Sequence, residues 1–119
     1  MADKWTALNS FWNSFGLTAY DETTVPDGAV LPYITYEART ADLDEKVALT
    51  ASLWYRGNSW AEISQKAEFI SNSIGGGTGV RYDNGRLWVT KESPFAQRMS
   101  EPSDTNIRRI VLLVSAEFQ

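Results

Sequence analysis

Apolar positions alternate along residues 46–56: Val47, Leu49, Ala51, Leu53 and Tyr55 interleave with Ala48, Thr50, Ser52, Trp54 and Arg56. A period of two predicts a strand with one face more apolar than the other. Gly57-Asn58 then interrupts the chain, and Ser59 with Glu62 three residues later spells a capping box, so a helix is predicted from Trp60 to Ile74. Trp60, Ile63, Ala67, Ile70 and Ile74 follow steps of three and four and make one stripe, the face that should lie on a sheet. Phe69 points nearly opposite, beside Glu62 and Lys66. It is either a singly exposed aromatic or the mark of a second buried face against another subunit.

The same period recurs at the start of the chain, where Trp5, Leu8, Phe11, Trp12 and Phe15 predict a first helix capped by Asp3 and stopped at Gly16. A groove for a sugar or peptide is one use of four aromatics so close together; packing on the sheet explains their single face better. Residues 17–31 read as a loop containing the turn Val25-Pro26-Asp27-Gly28. Pro32 opens a first strand at residues 33–38, rich in aromatic and β-branched side chains. Asp42, Asp44 and Glu45 fall in the following hairpin turn. They are spaced like the start of a calcium loop, without the glycine and distant glutamate that such a loop needs.

Past the central helix, the glycines at 75, 76, 77 and 79 come after a helix and before a strand, the reverse of a phosphate-binding loop, and are read as helix termination and a flexible crossing. Val80 to Tyr82 and Arg86 to Lys91 flank Asp83-Asn84-Gly85 and predict a hairpin with Leu87 and Val89 on one face, Trp88 and Thr90 on the other. Residues 93–104 carry two prolines and no periodicity and are read as a long loop in which Phe95 and Met99 need cover. Residues 106–118 close the chain with a strand apolar on both sides, hence central. Its Arg108-Arg109 pair fits a solvated strand end or a subunit salt bridge better than a phosphate clamp.

The predicted fold class is α+β: one mostly antiparallel sheet with two helices packed on one face, in the order α-β-β-α-β-β-β. One chain has no third layer, so the other face, carrying Trp54, Trp88, Thr50 and Thr90 or their opposite numbers depending on register, leaves part of the sheet open to solvent or partners.

Composition then removes chemistry. With 119 residues the chain is one domain with room for a core, and its 43% hydrophobic and 22% charged shares are those of a soluble globular protein. It has no Cys and no His, which takes away the usual zinc ligands, the usual general base and the Ser-His and Cys-His arrangements of acyl transfer. No catalytic, cofactor-binding or metal residue is assigned. A net charge of -4 argues against gripping nucleic acid by its phosphates. No apolar run is long enough to span a membrane and no secretory signal is visible, so a cytoplasmic protein is expected.

A family resemblance rests on Leu31-Pro32-Tyr33-Ile34-Thr35-Tyr36, on Leu53-Trp54-Tyr55-Arg56 leading to Ser59-Trp60 and Glu62-Ile63, on Pro94-Phe95-Ala96-Gln97, and on Asp104 with Ile107-Arg108-Arg109 before a last long strand. In that order these segments resemble the tail terminator, or tail completion, proteins of long-tailed bacteriophages, and the likeness spans nearly all of residues 1–119. It implies a structural virion protein, assembled in the host cytoplasm, that forms a homohexameric ring, caps the tail tube, ends its polymerisation and presents the head-tail joining surface. The implied partners are further copies, the tail tube protein and the head-tail connector or other neck proteins. DNA would pass through the lumen without sequence-specific binding. No catalytic residue and no cofactor carries over. Phe69, Trp54, Trp88, Phe95, Gln97, Arg98, Met99, Arg108 and Arg109 are the candidate oligomer or tail-tube contacts, and Asp42, Asp44 and Glu45 the candidate lumen carboxylates. The rival readings are another neck component such as a connector or tube subunit, a small aromatic-rich binding module, and a hydrolase using Asp42 with Glu45 or Glu62 with Glu68.

Overall fold

The computed structural model describes residues 3–39, 46–83, 85–100 and 104–119. Asp42, Asp44, Glu45 and the turn residue Asn84 lie outside the described residues. The elements run α1 (Lys4–Asn13), β1 (Ala19–Asp21), β2 (Tyr33–Tyr36), β3 (Lys46–Arg56), α2 (Ala61–Ile74), β4 (Thr78–Tyr82), β5 (Gly85–Met99) and β6 (Ile107–Phe118). The six strands form one sheet in the order β1-β2-β3-β6-β5-β4, antiparallel except for the β1–β2 pair. The α+β class holds, with one strand more than the pattern predicted.

The long β3–β6 ladder sets the register of everything else: Leu49, Ala51, Leu53 and Tyr55 lie opposite Val114, Leu112, Ile110 and Arg108. All of these but Arg108 are buried, and with Ile34, Tyr36, Leu87, Val89, Ala116 and Phe118 they make the helix-side face of the sheet. Ile63, Ala67, Ile70 and Ile74 from α2 and Ala7, Leu8, Phe11 and Trp12 from α1 close the core above it. Full burial of one such large apolar side chain contributes about 1.5 to 3 kcal/mol, which is why the stripes and not helix propensity decide the fold.

Four local expectations are corrected. Trp5 is 51% exposed although it lies only about 20° around the helix from the fully buried Trp12; it stands in the first turn of α1, about two turns from Trp12 along the axis, so axial position and not helical phase exposes it. The capping box at Ser59 is not closed: α2 begins at Ala61 after Trp60, and the Ser59 hydroxyl accepts a hydrogen bond from the Ala61 N–H at 3.1 Å with no reciprocal bond from Glu62. Inside the stretch read as loop, Ala19–Asp21 pairs in parallel with Ile34, Thr35 and Tyr36. And residues 93–99 are strand, continuing β5 to Met99. Pro94 is tolerated there because the β5–β6 ladder is interrupted between Lys91 and Ala96, so its missing N–H removes no bond. By contrast Asp3 caps α1 as predicted, accepting the Thr6 N–H at 2.8 Å.

Candidate functional site

The ladder register sorts the nine candidate contact residues into three places. Trp54, Trp88, Arg109, Gln97 and Met99 project from the face away from the helices, since Trp54 pairs with Arg109, Gln97 with Val111 and Met99 with Arg109. Phe95, Arg98 and Arg108 lie on the helix side, at the end of α2 nearest β5. Phe69 stands apart at the junction of the helices, where its ring meets Phe15 edge-on at 6.5 Å. There the Lys66 ammonium lies 5.1 Å from the Phe69 ring and donates to the Phe15 carbonyl at 2.9 Å.

The face away from the helices is less bare than its aromatic content suggests. The Trp54 indole donates to Thr35 Oγ1 at 2.8 Å, and Arg109, 4.7 Å above its ring, donates to Ser52 Oγ at 3.1 Å. Trp88 is flanked by Arg86 at 5.1 Å and lies against Gly77, where a β-carbon would come within 2.3 Å of its ring. The run of glycines is therefore a seat for Trp88 as well as a helix stop, a role that spacing alone did not disclose. Among the described residues the large apolar side chains left exposed are Trp5, Val30, Phe69 and Met99, and Val30 is the most exposed of them at 80%.

On the helix side, Trp60 has Arg98 at 4.9 Å and Arg108 at 5.4 Å from its ring. Cations over an aromatic face are attracted by its quadrupole, so these guanidiniums are held without a carboxylate. Among the described residues Arg39 pairs with Glu37 and Arg56 with Asp104; Arg98, Arg108 and Arg109 form no ion pair. Beside them a groove of about 490 Å³ runs between α2 and the distal half of β5, floored by Ala67, Phe95, Ala96 and Ile110. Lys91 donates to Ser71 and Arg98 to Ser64, so two cations of β5 brace α2 across it.

β4 pairs only with residues 85–89 of β5, so the outer edge of residues 90–99 has no strand beside it among the described residues. On the opposite flank of the sheet, residues 17–38 hold Asp21, Glu22, Asp27 and Glu37 and no Lys or Arg, with Glu37 alone of these paired to a cation, Arg39, among the described residues. The loop carrying Val30 belongs to that flank. This charge separation was not legible in the net charge, because it depends on which strands form the edges.

No group of three or more Asp or Glu side chains is placed to hold a metal ion among the described residues. Glu62 and Glu68 lie on different sides of α2: Glu68 is at the groove, whereas Glu62 faces Tyr55 and Lys66. Burial, with Glu62 nearby, pushes the Tyr55 hydroxyl above its usual range. No described helix is long and apolar enough to cross a membrane.

No protein-family model matches the chain, and no curated protein matches it. Among solved structures, a chain of the virion of a native gene transfer agent particle superposes with a TM-score of 0.55 at 19% identity, covering 98% of this chain and 86% of that one. At that identity the likeness is one of fold, and it extends over both helices and the whole sheet.

Proposed function

We propose that the protein is a structural, non-enzymatic virion subunit of the tail-terminator kind, its whole chain a single such domain. Copies close into a ring, six by the family resemblance, on the end of a tail tube. The ring ends tube polymerisation and offers the surface that neck or connector proteins join. The observation that carries this reading is a fold shared, over almost the full chain, with a chain of a gene transfer agent virion. The ordered resemblance of five segments to tail terminators narrows the position within a particle. Two further features support it: large apolar side chains stand exposed, and opposite flanks carry opposite charge. Head-to-tail rings need a patch that meets a different patch on the next copy. The acidic balance suits a lumen that DNA traverses without adsorbing, and Asp42, Asp44 and Glu45 are the proposed lining.

The test has two parts. Light scattering and native mass measurement of purified protein, alone and with tail tubes, should report a closed oligomer. A monomer at high concentration that also ignores tubes refutes the reading. Electron microscopy of particles made without the protein should then reveal overlong tails; tailless heads or missing tubes would instead make it a connector or a tube subunit.

A further inference from the structure

We infer that the ring contact, on the proposed ring reading, is made by the acidic β1–β2 flank of one copy docking on the α2–β5 groove of the next, with Val30 as the side chain that enters it. Three observations converge. The groove is floored by apolar atoms of Ala67, Phe95, Ala96 and Ile110, and Phe95 is only partly covered by its own chain. Val30 is 80% exposed, the most of any large apolar side chain among the described residues. The charges match: Asp21, Glu22 and Asp27 surround the Val30 loop in sequence with no cation among them, while the groove is bounded by Lys91 and Arg98, with Arg108 beside it hydrogen-bonded to the Thr105 carbonyl and in no ion pair among the described residues. Glu68 also stands at the groove and restricts the incoming carboxylates to its Arg98 end.

A second copy fits this surface better than any unrelated partner because the complementary patch is on the same chain. The two patches sit at opposite flanks of the sheet. β1 and β5 are four strand intervals apart, about 19 Å at the usual spacing, so no copy can satisfy its own groove. A contact between unlike patches is head-to-tail and propagates until the rotation closes. Pro94, Lys91 and Arg98 along the open stretch of β5 discourage indiscriminate strand pairing, so recognition rests on side chains.

The absence of native cysteine makes the contact directly readable. Val30→Cys and Ala96→Cys are each placed at exposed small or mid-sized positions, on the knob and in the groove. Under mild oxidation, a mixture of the two single variants should give disulfide-linked heterodimers, and neither variant alone should self-link. The double variant should give a ladder that ends at the ring size. Separately, the neutral variant Val30→Ser should raise the concentration of half-assembly about tenfold or more, the loss expected for one buried aliphatic side chain. Its fold is checked by an unchanged far-ultraviolet spectrum. Self-linking of either single variant, or a ring that forms with no cross-link between the two sites and is indifferent to Val30→Ser, overturns the inference while leaving the ring intact. A wild-type chain that forms no ring, alone or on tail tubes, removes both.

Discussion

Arg109 lies opposite Trp54 in the β3–β6 ladder, with its guanidinium carbon 4.7 Å from the centre of the indole ring. The pair sits on the sheet face that bears no helix, and Thr35 and Ser52 hold the two side chains from below. A cation stacked at a partly exposed site contributes about 0.5 to 1 kcal/mol, so Trp54→Leu and Arg109→Met should show a coupling of that size in a double-mutant cycle of urea unfolding. Coupling indistinguishable from zero would mean that the two side chains only happen to be adjacent.

The seat of Trp88 gives a sharper prediction. Gly77 has φ +143 and no room for a β-carbon, which would meet the Trp88 ring at 2.3 Å. Gly77→Ala should therefore cost more than about 1 kcal/mol, combining an unfavourable backbone conformation with displacement of the ring. Trp88→Ala in the same chain removes the clash and should recover part of that loss. Full additivity of the two changes would show that the ring is not held against the glycine.

Leu53 is fully buried on β3 between Ile34 and Ile110 of the flanking strands. Leu53→Ala should destabilise the fold by about 2 to 5 kcal/mol, through lost transfer energy and the cavity left behind. A denaturant midpoint unchanged within error would contradict the register on which the sorting of the candidate contacts depends.

How much of this was readable beforehand follows from the physics of each signal. β3 was legible because long alternation fixes a face, β6 because a run apolar on both sides marks a central strand, and Leu87 with Val89 by alternation again. Phe69 was correctly read as off the stripe of α2, since helical phase needs only counting. β1 was not, because Ala19, Tyr20 and Asp21 are too few to show a period and pair with a strand that follows by a loop. The distal half of β5 was hidden by Pro94, whose cost in a strand vanishes only if the ladder is already broken beside it. Trp5 shares its helical phase with the buried Trp12, and its exposure was not legible because phase says nothing of where along its axis a helix leaves the sheet. The candidate contacts could be named as residues but not grouped by sheet face: that Arg98 and Arg109 face opposite sides of the sheet depends on the irregularity between Lys91 and Ala96, which no spacing reveals.

Tyr55 gives a prediction at high pH. Burial, and then the charge of Glu62, raise its hydroxyl above the ordinary 10.0, so the folded state holds the proton more tightly than the unfolded chain does. That contribution to stability is complete below pH 10.0 and is lost as pH rises through the folded value. Tyr55→Phe should flatten the fall in thermal midpoint above pH 10. An equally steep fall in the variant would assign the alkaline loss to other groups.

The two helix starts make a paired test at acid pH, because one cap formed and the other did not. Asp3 accepts the Thr6 N–H, and this bond holds its carboxyl below the usual 3.8, so its contribution is present above that value and is lost as pH falls through the folded one. Asp3→Asn keeps an acceptor without the charge and should remove that part of the acid sensitivity while leaving α1 in place; Asp3→Ala should lower the thermal midpoint at neutral pH as well. At the start of α2, Ser59 makes only a 3.1 Å bond to Ala61 and Glu62 returns none. Glu62→Gln should therefore leave the start of α2 unchanged, and Ser59→Ala should cost less than about 1 kcal/mol, below a full cap. If amide exchange instead shows the first turn of α2 loosened by Glu62→Gln, then Ser59 and Glu62 do act as a reciprocal pair, and the start of that helix must be redrawn one residue earlier.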